Sequence, residues 1–402
     1  MSIPDLPPPI LVEDDQGMAR LMEDMEGRPD IAVDTEADAF FSYRQEVCLI
    51  QITVGDNDYI VDPQADMDVS PLGRMFADPK RVKIFHDSEY DVLILRRAFR
   101  FDFAALFDTR VAAAVLGIQS PGLASVLESR FGVKLDKSMQ RSDWSTRPLS
   151  AKQIAYARLD THYLIPLAEG LREELDTRDR RVIVESECRR LELLDIPDPP
   201  FDPNEWSKIK GARDLSPRER AVLRELYVLR EQIAERQDVP PFRIINNPSM
   251  LMVARQQPRD MKHLTGIKGF TPRMASKMGD KTLKAVARGL DADPIDRMPV
   301  LPRKDGTEGL DEIQSDLYDR VKTWRKDIAA ALGMESAYLL NRHVMTRLAS
   351  ELPKDRADLE QVEGMQDWQL DRHGDDLVVV LKKFHKDLAA GKVPKRRTWK
   401  RR

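Results

Sequence analysis

Cysteine is scarce in this sequence of 402 residues. Its two cysteines, Cys48 and Cys188, form neither a zinc-binding spacing nor a Cys-x-x-Cys redox motif. This scarcity excludes a small secreted domain held together by disulfides. We therefore expect a cytoplasmic protein without disulfides.

Long apolar runs are also absent. No stretch approaches the roughly 20 apolar residues that a membrane-spanning helix needs. The first ten residues, MSIPDLPPPI, lack the basic segment and the apolar segment that make up a secretory signal. We therefore expect no membrane partner.

The chain has little net charge, −4 at pH 7, but its charges are unevenly distributed. Residues 1–200 contain 13 more acidic than basic residues, whereas residues 201–402 contain nine more basic than acidic ones. This asymmetry suggests clustered carboxylates that hold cations in the first half and a second half that meets a polyanion. Drift in surface charge is the simpler alternative.

Proline marks two candidate domain boundaries. The segment from Ile196 to Pro203 is rich in proline and cannot continue a helix, and a second break lies around residues 293–306. A chain of this length is expected to form two or three domains. We predict domains at residues 1–195, 208–291 and 307–390, followed by a basic tail at 391–402. The tail would contact phosphate backbones or simply increase solubility.

Strand and helix patterns alternate in the first domain. Residues 47–55 form a near-continuous apolar run, as in a strand buried on both faces. The predicted strands are 31–37, 47–55, 58–61, 81–86 and 105–108; the predicted helices are 89–99, 109–116, 123–131 and a long one from about 150 to 169. This order predicts an α/β domain with a mixed central sheet flanked by helices.

Two acidic residues lie on the first of these strands. Asp34 and Glu36 are two positions apart, so their side chains point to the same face. Carboxylates at the end of a buried strand are unfavourable unless a bound cation offsets their charge. A polar edge strand is the alternative interpretation.

Two later elements carry further acidic residues. Asp91 falls in the first turn of the helix predicted at 89–99, where acidic side chains commonly complement the helix dipole. Tyr156 and Asp160 are four residues apart and share one helix face, an ordinary pattern by itself. Taken singly, none of these elements distinguishes a functional site from a structural use.

The order of the acidic elements resembles the exonuclease motifs of the DEDD superfamily. These motifs are Asp-x-Glu on a first strand, an aspartate at a helix start and Tyr-x-x-x-Asp on a late helix. Because it has Tyr156 four residues before Asp160, the sequence resembles the DEDDy branch of this superfamily. The DEDDh branch has a histidine at the position that Ala155 occupies here. The segments DTEAD, VCLIQI, HDSEYD, DWSTRPL and YARLDTHYL are similar to the ribonuclease D family, over about residues 20–190.

This resemblance implies a ribonuclease H-like fold and a 3′→5′ exoribonuclease that releases nucleoside 5′-monophosphates. It implies two metal ions, Mg²⁺ or Mn²⁺, which prefer hard oxygen ligands. Asp34 would bridge the two ions. Glu36 and Asp160 would hold the ion on the nucleophile's side, and Asp91 would complete the site around the second ion. Tyr156 would orient the attacking water, because an unperturbed phenol titrates near 10 and is a poor base at neutral pH.

The implied substrate is RNA with a single-stranded 3′ end, tRNA precursors in particular, and a monomer is the favoured state. Two alternatives remain open. A DNA 3′→5′ exonuclease would use the same metal site, which does not distinguish the two sugars. A non-catalytic RNA-binding protein on an exonuclease scaffold is the other.

Several residues of the first domain are candidate RNA contacts: Phe40, Tyr43, Gln51, His86, Trp144 and Arg147. Phe40 and Tyr43 follow the first acidic strand and would wedge the terminal nucleotides. Trp144 would stack on a base and Arg147 would bind a phosphate. Core packing of Trp144 and a structural salt bridge of Arg147 are the alternatives.

The second half of the chain contains an internal repeat with a shift of 95 residues. The shift maps Asn246 onto Asn341 and Gly269 onto Gly364, positions that set helix ends and turns. Each copy predicts four or five short amphipathic helices, an all-α domain. The first copy resembles the HRDC domain, a helical module shared by ribonuclease D and RecQ-type helicases, through RDL, VPPF and LTGIKG.

The second copy is more degenerate but still HRDC-like. Acidic residues are frequent in it, so it would mediate packing instead of RNA binding. In the first copy, Lys262 and Lys268 belong to a dense basic set that would bind phosphates away from the cleaved end. A solvated helix face is the alternative for these lysines.

Overall fold

A mixed six-stranded sheet lies at the centre of the first part of the chain. Its strands are β1 (Ile10–Val12), β2 (Asp30–Ala37), β3 (Val47–Val54), β4 (Asn57–Val61), β5 (Val82–Phe85) and β6 (Leu106–Asp108). Their order across the sheet is β1-β4-β3-β2-β5-β6. β3 runs antiparallel to β2 and β4, and the remaining neighbours pair in parallel.

This computed structural model describes residues 6–195, 200–299 and 309–393. We refer to these three ranges as the α/β domain, the first helical domain and the second helical domain. Part of each predicted boundary and most of the predicted basic tail lie outside the described residues.

Burial explains why β3 lies in the interior of the sheet. All eight of its residues are buried, as expected for a strand covered on both faces. In the antiparallel register with β2, Asp34 lies opposite Gln51, so these two side chains share one face. One helix crosses this face, and that crossing creates the candidate site.

The helices of the α/β domain flank the sheet. They are α1 (Asp15–Asp24), α2 (Ser70–Ala77), α3 (Glu89–Phe99), α4 (Thr109–Val115), α5 (Leu123–Phe131), α6 (Ala151–His162), α7 (Leu164–Thr177) and α8 (Arg181–Glu192). α6 packs across β2, β3 and β4, and α7 packs on β2 and β5. The sequence does not predict β1, α1 or α2. β1 has only three residues, and it is defined by its pairing with β4.

The prediction of one long helix from about 150 to 169 is wrong, since the structure has two helices, α6 and α7, that meet at Tyr163. Pro166 explains the break, because it has no backbone N–H and would clash with the carbonyl of His162 in a continuous helix. In the structure Pro166 lies in the first turn of α7, where no intrahelical N–H bond is required.

The two helical domains repeat one arrangement of helices. The first consists of α9 (Pro217–Gln237), α10 (Pro241–Ile244), α11 (Asn247–Gln256), α12 (Met261–Thr265) and α13 (Pro272–Asp291). The second consists of α14 (Glu312–Leu332), α15 (Ser336–Leu339), α16 (Arg342–Glu351), α17 (Arg356–Glu360) and α18 (Asp367–Ala389). The bounds of α9 to α12 are each displaced by 95 residues in α14 to α17. The helices therefore follow the sequence repeat without a shift.

The helical domains contact the α/β domain in different ways. In the first, Asp238 accepts the backbone N–H of Tyr43 at 3.1 Å, and Arg243 lies 4.5 Å from the ring centre of Phe41. In the second, Leu339 and Trp368 belong to the same buried cluster as the sheet. The second domain thus shares a core with the α/β domain, whereas the first is held by contacts to the loop after β2.

Among the described residues, no helix combines the length and the apolar composition needed to cross a bilayer. Cys48 and Cys188 are both buried and free.

Candidate active site

Three carboxylates converge where β2 passes beneath α6. Asp34, Glu36 and Asp160 each offer an oxygen, and these atoms all lie within 4.8 Å of one another. Asp34 and Glu36 share a face of β2, and Asp160 descends from α6 onto it. A group of hard oxygen donors at this spacing suits a divalent cation such as Mg²⁺ or Mn²⁺.

Polar contacts on the underside of α6 hold Asp160 over the sheet. Arg158 donates to Asp58 of β4 at 2.5 Å, and Thr161 is hydrogen-bonded to Thr53 of β3 at 2.8 Å. These two bonded residues flank Asp160 in the helix. At the start of α6, a capping box formed by Ser150 and Gln153 determines where the helix begins. The position of Asp160 is therefore set by bonds from α6 to β3 and β4, the two strands next to β2 on that side of the sheet.

The fourth acidic residue, Asp91, stands beside this group. Its side chain is buried and accepts a hydrogen bond from the hydroxyl of Thr35, the residue between Asp34 and Glu36, at 2.5 Å. Asp91 lies in the first turn of α3, as the sequence predicts. The structure thus brings three predicted carboxylates together and places the fourth next to them through Thr35.

A further buried carboxylate, Asp108 at the end of β6, holds the segment that leads to Asp91. Its oxygens accept the backbone N–H of Asp87 at 3.1 Å and of Ser88 at 2.7 Å. It also caps α4 by accepting the N–H of Arg110 at 2.9 Å. Asp87 adopts a left-handed backbone conformation (φ 72°), so the turn before α3 is strained. Asp108 is not among the residues predicted from the sequence, although an aspartate before a helix start is a recognisable capping signal.

Burial and mutual repulsion keep protons on these carboxyl groups. Burial, followed by the charges of Asp160 and Asp91, raises the pKa of Glu36 to about 9. Burial and Asp91 raise the pKa of Asp160 to about 8. Burial also raises the pKa of Asp91 to about 7, and it raises the pKa of Asp34 well above its usual range. A divalent cation would replace these protons and offset the charge, so the residues fit a metal site.

Tyr156 lines the same cleft, one helical turn before Asp160. Burial and the charges of Asp160 and Glu36 raise the pKa of its phenol above the ordinary value. The hydroxyl therefore stays protonated and can donate a hydrogen bond. It is not a candidate general base.

The carboxylates open into a cleft of about 380 Å³. Other polar residues that line the cleft include His86, Asp87, Arg110, Lys137 and Gln140. A smaller recess of about 190 Å³, with a more apolar lining, shares Tyr156 and Asp160 with it. Arg110, Lys137 and Gln140 are not among the residues predicted from the sequence, since none belongs to a motif and only the fold brings them to the cleft.

Some predicted RNA contacts lie at or near an accessible surface. His86 lines the cleft, and burial lowers its pKa to about 4, so the imidazole is neutral. The ring of Phe40 is 45% exposed and lies 5.8 Å from the guanidinium of Arg141. Tyr43 is half-buried at the contact with the first helical domain. Lys262 is exposed on α12, and Lys268 is exposed just after it.

The structure corrects the expectations for Trp144 and Gln51. The indole of Trp144 is 1% exposed and packs against the ring of Tyr156, which leaves no face for a nucleobase. Gln51 is fully buried opposite Asp34, so it cannot contact RNA, and its amide atoms have no partner among the described residues. Trp144 therefore supports Tyr156 from behind.

Arg147 is likewise engaged inside the fold. Its guanidinium donates to Asp62 at 2.5 and 2.7 Å, and to the carbonyl oxygens of Trp144 at 2.7 Å and Cys48 at 3.0 Å. These bonds tie the loop before α6 to β3 and to the end of β4. The phosphate contact predicted for Arg147 is replaced by this structural ion pair.

Two family models match the sequence. The model described as 3′-5′ exonuclease covers residues 9–176, and the HRDC domain model covers residues 219–286 and 314–381. A ribonuclease D of Acidiphilium cryptum is 31% identical over 379 residues, 93% of each chain. The chain belongs to the ribonuclease D family. The predicted exonuclease domain and both predicted HRDC-like copies are thereby confirmed.

Other members of the ribonuclease D family extend the likeness. A ribonuclease D of Gluconacetobacter diazotrophicus is 35% identical over 288 residues, 70% of this chain and 72% of that protein. The crystal structure of RNase D from Escherichia coli shares the fold with a TM-score of 0.63 at 24% identity, over 93% of this chain and 99% of that one. The predicted fold class is therefore confirmed, as is the enzyme class of a 3′→5′ exoribonuclease.

Proposed function

We propose that this chain shortens RNA from its 3′ end by metal-dependent hydrolysis and releases nucleoside 5′-monophosphates. The convergence of Asp34, Glu36 and Asp160, with oxygens within 4.8 Å, carries the proposal. The favoured substrate is RNA with a single-stranded 3′ end, and tRNA precursors are the first candidates. The ribonuclease D relatives support an RNA substrate.

The oxygen donors of the cleft suit Mg²⁺ or Mn²⁺, and the family resemblance implies two ions. Asp34, Glu36, Asp91 and Asp160 would hold them. Such ions acidify water and neutralise charge on the scissile phosphate when bound. Two observations support a metal at these residues. Burial raises the pKa values of the carboxyl groups, so a cation would offset charge that is costly inside the protein, and the donors are the hard oxygens that Mg²⁺ and Mn²⁺ prefer.

The side chains of the protein itself would orient the reacting groups. Tyr156 stays protonated beside Asp160, so its hydroxyl would donate a hydrogen bond that aligns the attacking water. Thr35 donates to Asp91 and so orients its carboxylate. Trp144 packs behind the ring of Tyr156 and would keep the phenol in place.

The test is a time course of trimming on a 3′-extended tRNA precursor, with Mg²⁺, with Mn²⁺ and with EDTA. We expect stepwise shortening that needs the metal and that yields nucleoside 5′-monophosphates. Asp34→Asn should lower the rate by roughly 10³-fold, while RNA binding in EDTA is retained. Asp66→Asn, an exposed aspartate on the same domain, is the matched control and should trim at the wild-type rate.

Two results would contradict the proposal. Trimming by Asp34→Asn at the wild-type rate would remove Asp34 from the site. Faster degradation of a matched DNA oligonucleotide than of RNA would overturn the substrate.

A further inference from the structure

Two cations, Arg110 and Lys137, line the cleft within the described part of the chain. Arg110 lies in the first turn of α4, two residues after the cap Asp108. Its side chain is about one-third exposed, so the guanidinium can reach a ligand in the cleft. The floor of the cleft is acidic, and a cation on its wall is what a polyanionic strand requires to enter.

The guanidinium of Arg110 is fixed from the second helical domain. Its Nη1 donates to the hydroxyl of Tyr338 in α15 at 3.2 Å. Its Nε lies 3.5 Å from Asp87, whose side chain is 67% exposed, and so exposed an ion pair contributes little. A guanidinium carries five N–H donors, and these two contacts use only some of them. The remaining donors can bind a phosphate group, because the planar guanidinium matches the spacing of two phosphate oxygens.

Tyr338 is itself held by an extensive interface. The backbone N–H of Glu335 donates to the carbonyl of Ala114, one turn after Arg110 in α4, at 3.3 Å. Arg180 joins the two domains by donating to the carbonyl oxygens of Val115 and Leu332. Leu339, next to Tyr338, is buried in the cluster that also contains the sheet. The contact to Arg110 is therefore part of a built junction.

Arg110 reaches the cleft from α4, where it contacts Asp87 and Tyr338, whereas Asp34, Glu36 and Asp160 stand on β2 and α6. A second phosphate of the same strand suits this position.

We propose that Arg110 binds a non-scissile backbone phosphate of the RNA strand, and that Tyr338 of the second helical domain is its positioning residue. The proposal rests on the proposed function for its ligand. In this arrangement the second HRDC domain helps to bind RNA at the cleft without contacting RNA itself. It acts through the hydroxyl group of Tyr338, which positions Arg110.

The experiment measures equilibrium binding of a 5′-fluorescein-labelled single-stranded RNA by anisotropy in EDTA, where hydrolysis is blocked. We expect Arg110→Gln to weaken binding roughly tenfold. The slope of log K against log salt concentration should become shallower by about 0.7, the loss of one phosphate contact on a single strand. Arg110→Lys should restore the slope but only part of the affinity. Arg20→Gln, an exposed arginine on α1, is the matched control.

Tyr338→Phe removes only the hydroxyl and should weaken binding in the same direction, by less than Arg110→Gln. The double variant should bind no more weakly than Arg110→Gln alone, because the hydroxyl acts through the arginine. Additive losses would overturn the positioning role. Wild-type affinity and salt slope in Arg110→Gln would overturn the phosphate contact.

Hydrolysis in Mg²⁺ separates this inference from the proposed function. Wild-type protein that binds RNA but releases no nucleotide would contradict the proposed function alone. Wild-type protein that trims RNA, with binding unaffected by Arg110→Gln, would contradict this inference alone. Absence of RNA binding by the wild type would contradict both.

Discussion

At the scale of single residues, the site consists of carboxyl groups that repel one another: Asp34, Glu36, Asp91 and Asp160. Burial and neighbouring charge raise their pKa values, to about 7, 8 and 9 for Asp91, Asp160 and Glu36. Protons and divalent cations therefore compete for one set of oxygens. The stability of the fold and the binding of metal are linked through this competition.

This linkage predicts that the metal-free protein loses stability as the pH rises. In the unfolded chain these groups titrate near 4, whereas in the folded protein they keep their protons up to about 7 to 9. Between about pH 4 and pH 9 the folded state thus holds more protons, so its free energy of unfolding falls with increasing pH. Thermal unfolding in EDTA at pH 5.5, 7 and 8.5 should show a decreasing Tm.

Added Mn²⁺ should raise Tm most at pH 8.5, because there the fewest protons compete with the metal for the carboxylate oxygens. Glu36→Gln should flatten the pH dependence, whereas Glu26→Gln, an exposed control on the same domain, should leave it as in the wild type. A metal-induced rise in Tm that is the same at all three pH values would contradict the linkage.

At the scale of secondary-structure elements, the carboxylate of Asp108 connects one strand and two helices. Asp108 ends β6, caps α4 and accepts the N–H groups of Asp87 and Ser88 that precede α3. Every partner of this side chain is a donor, so an anionic acceptor suits the position. The start of α3, and with it Asp91, depends on Asp108.

Replacing Asp108 by Asn should lower both stability and activity. The amide would turn an N–H₂ group towards backbone N–H donors inside the protein, a cost of about 2–4 kcal/mol in the free energy of unfolding. Asp260→Asn is the matched control, because Asp260 caps α12 at the surface and should cost less than about 1 kcal/mol. Urea denaturation measures both.

The effect of Asp108→Asn on catalysis follows from the position of Asp91. At a temperature where the variant is folded, we expect a lower kcat for RNA trimming, since the turn before α3 shifts. Equal unfolding free energies of the two Asn variants would contradict the connecting role of Asp108.

At the scale of the whole molecule, the two HRDC domains are attached differently. The second shares a hydrophobic core with the exonuclease domain, and at this junction Gly117 approaches Gly333 closely. A Cβ on Gly117 would lie 2.0 Å from the carbonyl oxygen of Gly333. The junction therefore requires glycine at position 117, where φ is also positive (83°).

Gly117→Ala should separate the second HRDC domain from the exonuclease domain. Its control is Gly132→Ala, which has a positive φ (68°) but nothing within 4 Å of the added Cβ. The control should cost about 1–2 kcal/mol for the backbone conformation alone. Gly117→Ala should cost roughly 1–3 kcal/mol more through the clash.

Limited proteolysis and thermal unfolding distinguish the two glycine variants. We expect protease to release the second HRDC domain faster in Gly117→Ala only. RNA binding should also be weaker in this variant, because the contact between Tyr338 and Arg110 is lost. Equal Tm values and equal proteolysis of the two variants would contradict the tight junction.

The sequence by itself determined the features that are encoded locally. The strand with Asp34 and Glu36 and the helix with Tyr156 and Asp160 are each carried by spacing within a few residues. The repeat becomes visible when such short segments are compared 95 residues apart. Apolar periodicity, capping residues and turn glycines act over short segments, so they are readable without a fold. The family resemblance rests on the same local segments.

Only the tertiary structure decided which of these residues meet and which are covered. It buried Trp144 and Gln51, joined Asp108 to the start of α3 and brought Tyr338 to Arg110, a residue more than 200 positions away. Such contacts depend on how whole elements pack, and no local propensity records them. The physical reason is that burial and long-range hydrogen bonds are properties of the assembled core, whereas periodicity and capping are properties of the segment.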